Sequence, residues 1–264
     1  MVGNLNDTPD LDKELVSYEE LLPIDKFILN NLSHTFDQVN HNFEEMQLNK
    51  CVNLIENFFL TQLSSFYIKS IRDRLYCDKK DSLTRRSAQT ALYHTLVRSL
   101  IMLGPIMPHL VEEAFHYSIL KKNQDSGFFR SDLGFSNKDH TLWKNKDIEQ
   151  LFELIFSLRE KFFESLLSEN PALYDVSLEC DEKTFDLLKN VVNLIECFGC
   201  ANLEIKNMPS EKPKDIEIIS LKNGQTYSCS LVNTKTKNFV CARCRKFNSL
   251  IDGQLCNRCS NIIK

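Results

Sequence analysis

Four cysteines near the end of the chain carry the clearest chemistry: Cys241-Ala-Arg-Cys244, eleven residues, then Cys256-Asn-Arg-Cys259. Two Cys-x-x-Cys hairpins are expected, each presenting a pair of sulfurs to one ion. Four thiolates then close a tetrahedral shell and leave no position for water. That chemistry is structural: one zinc ion per chain, not a catalytic metal. The competing use of a Cys-x-x-Cys is thiol–disulfide exchange. Redox motifs do not come as a matched pair in a tail this rich in Lys and Arg. The need for a metal is also visible, because Phe239, Val240, Phe247, Leu250, Ile251 and Leu255 are too few to bury a core of their own. Zinc contributes roughly 10–16 kcal/mol to folding in comparable small modules.

Cations surround these ligands. Lys235, Lys237, Arg243, Arg245, Lys246 and Arg258 all fall in the tail, and residues 206–264 hold eleven Lys/Arg against four acids. Two uses fit this charge. It compensates the negative zinc–thiolate cluster, or it forms a rigid platform for nucleic acid, with Phe247 or the plane of Arg245 available for base stacking. A second basic stretch, residues 67–98, holds eight Lys/Arg and three Asp. Lys69, Arg72 and Arg74 are read here as falling off an apolar stripe, toward water or a partner. Lys79, Lys80, Arg85 and Arg86 follow. Alone, such a run is the ordinary solvated face of an amphipathic helix. The net charge of −4 hides both basic regions, since residues 1–30 carry seven acids and two lysines. His94, His109 and His116 read as core or surface residues. No Gly-rich phosphate loop and no Ser/His/Asp or Cys/His set is present.

Helices must position these groups. Seven glycines and seven prolines in 264 residues argue for long uninterrupted helices. The first is expected from Leu22 to about Leu48, with Pro23 in its first turn and Ile24, Ile28, Leu32 and Phe36 inward. A second runs from Leu48 to Tyr76, with Leu60, Leu63, Tyr67, Ile71 and Leu75 on one face. After a turn at residues 78–82, a third runs from about Ser82 to Leu103 on Ala88, Leu92, Leu96 and Leu100. Gly104-Pro105 ends it. A fourth follows Pro108, with Val111, Ala114 and Phe115 inward. Short connections make these an antiparallel bundle. Residues 121–147 read as a long surface connection that includes Phe128-Phe129 and Trp143. A helix from Asp147 to about Glu169 buries Leu151, Leu154, Ile155, Leu158, Phe162 and Leu166.

The texture then changes. A strand is expected at Asp175–Cys180. A helix follows over Asp181–Phe198, capped by Asp181 or Thr184, with Phe185, Leu188, Val192 and Ile195 inward. Further strands are expected at Ala201–Ile205, Ile216–Ile219 and Thr226–Val232, separated by Pro209, Pro213 and Asn223-Gly224. The fold class is therefore mainly α: an antiparallel helix bundle, then a small α+β unit and a C-terminal four-cysteine zinc ribbon or knuckle. The expected parts are a bundle over 1–121, a connection and long helix over 122–172, an α+β unit over 173–233 and a zinc module over 234–264. No apolar run approaches the ~20 residues of a membrane span. The acidic N-terminus lacks the pattern of a signal or transit peptide. Cys51, Cys77, Cys180, Cys197, Cys200 and Cys229 are scattered and read as buried thiols in a reducing compartment.

Longer stretches resemble a known family. They are Leu63-Ser-Ser-Phe-Tyr-Ile-Lys-Ser-Ile-Arg-Asp-Arg-Leu-Tyr76, Asp81-Ser82, Arg85-Arg-Ser-Ala-Gln-Thr-Ala-Leu-Tyr93 and Gly104-Pro-Ile-Met-Pro-His109 with Glu112-Glu113. Together they are similar to the anticodon-binding helical domain of bacterial-type isoleucyl-tRNA synthetases. Gly3-Asn4-Leu5 resembles the point where that domain leaves the catalytic body. His140-Thr-Leu-Trp143 resembles the segment before the next helix, and the four cysteines resemble the family's C-terminal zinc module. The match is collinear over nearly the whole chain.

The resemblance implies binding of isoleucine tRNA at its anticodon stem and loop. Lys69, Arg72, Arg74, Lys79, Lys80, Arg85 and Arg86 would meet phosphates, and Arg243, Arg245, Lys246, Phe247 and Arg258 would meet the loop. The family's nucleotide-binding body and editing domain are missing. The chain is thus expected to be a fragment or a separately made C-terminal piece, a monomer that partners that body and catalyses nothing alone. Arg245 stands where the family usually has Trp, which puts a stacking contact in doubt. Bacterial cytoplasm and mitochondrial matrix both suit it, and no targeting signal is seen. The rival readings are the equivalent domain of a valine or leucine enzyme, and a free-standing zinc-ribbon adaptor for RNA or protein.

Overall fold

The computed structural model describes residues 2–5, 15–123, 126–131, 140–208, 217–221 and 224–263. The chain forms two compact units, residues 1–145 and 146–264.

The first unit is a helical bundle. Helix α1 (Pro23–Glu44) starts on Pro23, whose missing N–H is no loss in a first turn. Ile24, Ile28, Leu32 and Phe36 are buried as their spacing predicts. Helices α2 (Leu48–Asn57) and α3 (Lys69–Cys77) are joined without a break by a π-helical segment, Phe58–Ile68. The bonds of such a segment reach one residue further than those of an α-helix. The buried seam accordingly steps from Phe58 to Leu63 and then to Tyr67, Ile71 and Leu75. Leu60, expected inside, is displaced from the seam and is 57% exposed. Ser65 accommodates the wider turn by donating its hydroxyl to the Leu60 carbonyl at 2.6 Å.

Helix α4 (Leu83–Leu103) begins at Ser82, whose hydroxyl accepts the Arg85 N–H. It is the central element, so burial extends around it to Ser87, Thr90 and Thr95 as well as Ala88, Leu92, Leu96 and Leu100. Helix α5 (Pro108–His116) buries Val111 and Phe115. Beyond it, Phe128 and Trp143 are buried anchors. The Phe128 ring meets Phe115 at 5.7 Å and Trp143 meets His94 at 4.9 Å. Glu112 accepts the Phe128 N–H at 3.0 Å.

The second unit opens with helix α6 (Lys146–Ser165), which buries Phe152 as well as the expected Leu154, Ile155, Leu158 and Phe162. A four-stranded sheet follows, with strands β1 (Tyr174–Cys180), β2 (Asn202–Asn207), β3 (Glu217–Ser220) and β4 (Thr226–Lys235) in the order β2-β1-β4-β3. β1 and β2 are parallel, and the other two pairings are antiparallel. The parallel pair needs a crossover. It is made by two helices, α7 (Glu182–Leu188) and α8 (Leu194–Phe198), not by the single helix expected. Asn193, at φ 70°, breaks the run by taking the left-handed conformation that Asn tolerates. Val192 is consequently 54% exposed, not inward. Asp181 is the cap, accepting the Thr184 N–H at 2.9 Å. Pro209, Pro213, Ile216 and Asn223 lie outside the described residues. Among the described residues, no helix is long and apolar enough to cross a membrane.

Candidate metal centre and nucleic-acid interface

The tail holds strands β5 (Phe239–Val240) and β6 (Phe247–Ser249), paired antiparallel, and helix α9 (Asn257–Ile263). Cys241 and Cys244 lie in the turn between the strands. The turn is fixed by the Cys241 N–H on the Lys246 carbonyl at 2.8 Å and the Arg245 N–H on the Cys241 carbonyl at 3.0 Å. Arg245 closes it at φ 58°, a left-handed position that a non-glycine residue holds at some strain. The second Cys-x-x-Cys is not a hairpin. Cys256 immediately precedes α9 and Cys259 lies in its first turn.

The four sulfurs lie within 4.8 Å of one another. Cys244 and Cys256 are 3.9 Å apart. A bond of about 2.3 Å from zinc to sulfur implies about 3.8 Å between corners of a tetrahedron. Cys241, Cys256 and Cys259 are buried and Cys244 partly so. Burial pushes the Cys241 thiol up, but backbone N–H groups of Cys256, Cys244 and Arg243 outweigh it and bring the thiol down to about 6. One of these, from Cys256, is 3.2 Å from the sulfur. Burial pushes Cys244 and Cys259 up. A cluster so crowded cannot hold four thiolates unless a cation joins them, and a divalent ion does so by displacing the protons. The donor set, spacing and burial therefore fit a metal ion.

The apolar residues of the tail do not form a core. Leu250 is 75% exposed and Ile251 56%, and Phe239, Val240 and Leu255 are also exposed. The cysteines themselves form the buried cluster. Around it, Arg243, Lys246, Phe247 and Arg258 are half-buried and Arg245 is exposed. Arg243 has its Nη1 buried without a hydrogen-bond partner among the described residues. The apolar face open to solvent in β5 is that of Phe239, a residue not singled out for stacking from the sequence.

In the helical unit, Lys69 and Arg72 are exposed on α3, Lys79 and Lys80 are exposed in the turn before α4, and Arg85 and Arg86 are half-buried on α4. Arg74 must be removed from this set. It is 1% exposed and faces the core, where Nη1 and Nη2 donate to the two carboxylate oxygens of Asp25 at 2.9 and 3.0 Å. Arg74 stands three residues after Ile71 and seven after Tyr67, so it lies on the buried stripe. A charge lying on that stripe signals a buried partner. Asp25, Tyr67 and Ser87 complete the cluster: the Tyr67 and Ser87 hydroxyls also donate to the Asp25 carboxylate, at 2.7 and 2.5 Å.

Residues 25–218 match the anticodon-binding domain of tRNA ligase. The chain is 26% identical to the mitochondrial isoleucine–tRNA ligase of Macaca fascicularis, over 100% of this chain and 28% of that protein. It is 27% identical to the isoleucine–tRNA ligase of Caldicellulosiruptor bescii, again over 100% of this chain and 28% of the relative. A stretch of 122 residues, 46% of this chain and 13% of the relative, is 43% identical in the isoleucine–tRNA ligase of Fervidobacterium nodosum. The chain thus spans 28% of the length of the full-coverage relatives. With its helical bundle matched from residue 25 and its four-cysteine tail included in the longer alignments, the chain belongs to the anticodon-binding domain family of tRNA ligases, in the form carried by the C-terminal part of isoleucine–tRNA ligases.

Proposed function

We propose that the chain binds isoleucine tRNA by its anticodon stem and loop, with one structural zinc ion on Cys241, Cys244, Cys256 and Cys259. The observation that carries this reading is the exposed basic set Lys69, Arg72, Lys79 and Lys80 on the matched helical domain. Cations on a helix surface meet phosphates more readily than base edges, so this set supplies position and affinity. Arg85 and Arg86 extend it. Discrimination belongs to the zinc tail, where Arg243, Arg245, Lys246, Phe247 and Arg258 face unpaired loop bases, which are splayed and readable. Arg245 stacks its guanidinium plane on a base. In a longer ligase the catalytic body is the partner, and the chain helps place the acceptor end for ATP-dependent attachment of isoleucine. The chain acts as a monomer, in bacterial cytoplasm or mitochondrial matrix.

The test is fluorescence anisotropy with isoleucine tRNA and an unrelated tRNA at two salt concentrations. Arg72→Ala weakens both equally and reduces the salt slope by about one counterion's worth. Deleting residues 238–264 lowers affinity for isoleucine tRNA more than for the other, since a lost stack is worth roughly 1–3 kcal/mol. Equal losses for both tRNAs would make the tail an electrostatic clamp and sink its role in specificity.

A further inference from the structure

We infer that the buried Asp25–Arg74 pair is a positioning device for RNA binding: acting through Thr84 and Asp78, it presets the turn that offers Lys79 and Lys80 to phosphates. The inference rests on the reading of the basic helical face given above.

The contacts run without a gap from core to surface. Asp25 is fully buried and accepts both terminal nitrogens of Arg74. Arg74 Nη1 also donates to the Thr84 carbonyl at 3.1 Å. The Thr84 hydroxyl donates to Asp78 Oδ2 at 2.6 Å, and Arg85 Nη1 donates to the Asp78 carbonyl at 3.1 Å. Ser82 donates its N–H and its hydroxyl to the Lys79 carbonyl, at 3.1 and 2.9 Å. The turn backbone is therefore held at Asp78, Lys79 and Thr84. Lys79 and Lys80 are exposed, and their ammonium groups make no ion pair among the described residues.

Stability alone accounts poorly for this arrangement. Apolar residues of similar volume often replace a buried ion pair with no loss of stability. An apolar residue cannot hold a carbonyl, whereas the planar fork of Arg reaches Asp25 and Thr84 together. Lysines on a loose loop would lose backbone as well as side-chain freedom on meeting phosphate. On a fixed turn, only the side-chain part remains.

Anisotropy with isoleucine tRNA at two salt concentrations, on the full 264-residue chain, tests the inference. The informative variant is Thr84→Val, which keeps shape and leaves the core pair intact while removing the hydroxyl donor to Asp78. The reference is Lys79→Ala with Lys80→Ala, which lowers affinity and reduces the salt slope by about one to two counterions' worth. Thr84→Val lowers affinity about five- to thirtyfold, the scale of one residue's backbone ordered on binding, with the slope moved the same way. Thr84→Ser restores both. Added to the double-lysine variant, Thr84→Val causes no further loss. A merely structural Thr84 would instead give losses that add. Additive losses, or a Thr84→Val variant that binds like the parent while the double-lysine variant does not, overturn the positioning role and leave the basic face standing. An unchanged affinity in the double-lysine variant removes the basic face and the inference with it.

Discussion

Replacing Cys256 by Ser abolishes the binding of one equivalent of zinc and unfolds the tail, while residues 1–145 keep their structure. The tail offers little else to hold it. Leu250 and Ile251 are mostly exposed, and the buried cluster consists of Cys241, Cys256 and Cys259 with Cys244 against it. Two-residue and three-residue strands and a seven-residue helix are too short to stand alone. A metal ion held by the four sulfurs would therefore contribute most of the folding free energy of the module, roughly 10–16 kcal/mol in comparable zinc modules. Metal analysis of the purified chain gives one zinc for the parent and none for Cys256→Ser. Amide exchange over residues 239–263 loses its protection in the variant and in the chelated parent alike. A protected tail in metal-free protein, or two metals per chain, would defeat the assignment.

The clustering of the four cysteines was legible because its signal is local. Two pairs of cysteines at short spacing specify a site whatever the fold around them. What the spacing did not reveal is that the two halves differ, one in a β-turn closed by Arg245 and one at the start of α9. The stripes of α1 and α4 were legible for a related reason: regular helices repeat every 3.6 residues, and Ile24, Ile28, Leu32 and Phe36 keep that period. The same assumption failed over Phe58–Ile68, where the π-helical segment changes the period and moves Leu60 outward. It failed again after Leu188, where two Asn and two Val break the helix, with Asn193 left-handed.

Arg74 shows a different limit. Its helical phase places it inside while its charge points to solvent, and its partner lies 49 residues away in sequence. A long-range pair of this kind leaves no local pattern. Phase and polarity disagree at Arg74 and at Asp25, and such disagreement is where a sequence most often marks a buried network.

That network sets the second large effect expected, on stability. Asp25 is fully buried and accepts from Arg74, Tyr67 and Ser87, which come from two other helical stretches. Asp25→Ala removes the acceptor these donors share and leaves the Arg74 guanidinium charged in the core with the Thr84 carbonyl as its remaining partner. Breaking a buried pair from one side costs about 3–5 kcal/mol. Tyr67→Phe removes a single hydroxyl donor and costs about 1 kcal/mol. Arg72→Ala, two residues from Arg74 but exposed, changes stability by less than about 0.5 kcal/mol. The order Asp25→Ala, then Tyr67→Phe, then Arg72→Ala is thus fixed by burial and by the number of partners lost, not by closeness in sequence. Urea denaturation followed by circular dichroism measures all three, with Cys256→Ser as a control for the tail transition. If Asp25→Ala falls no further than Tyr67→Phe, the guanidinium finds water or another acceptor when its carboxylate is gone, and the pair does not hold the bundle together.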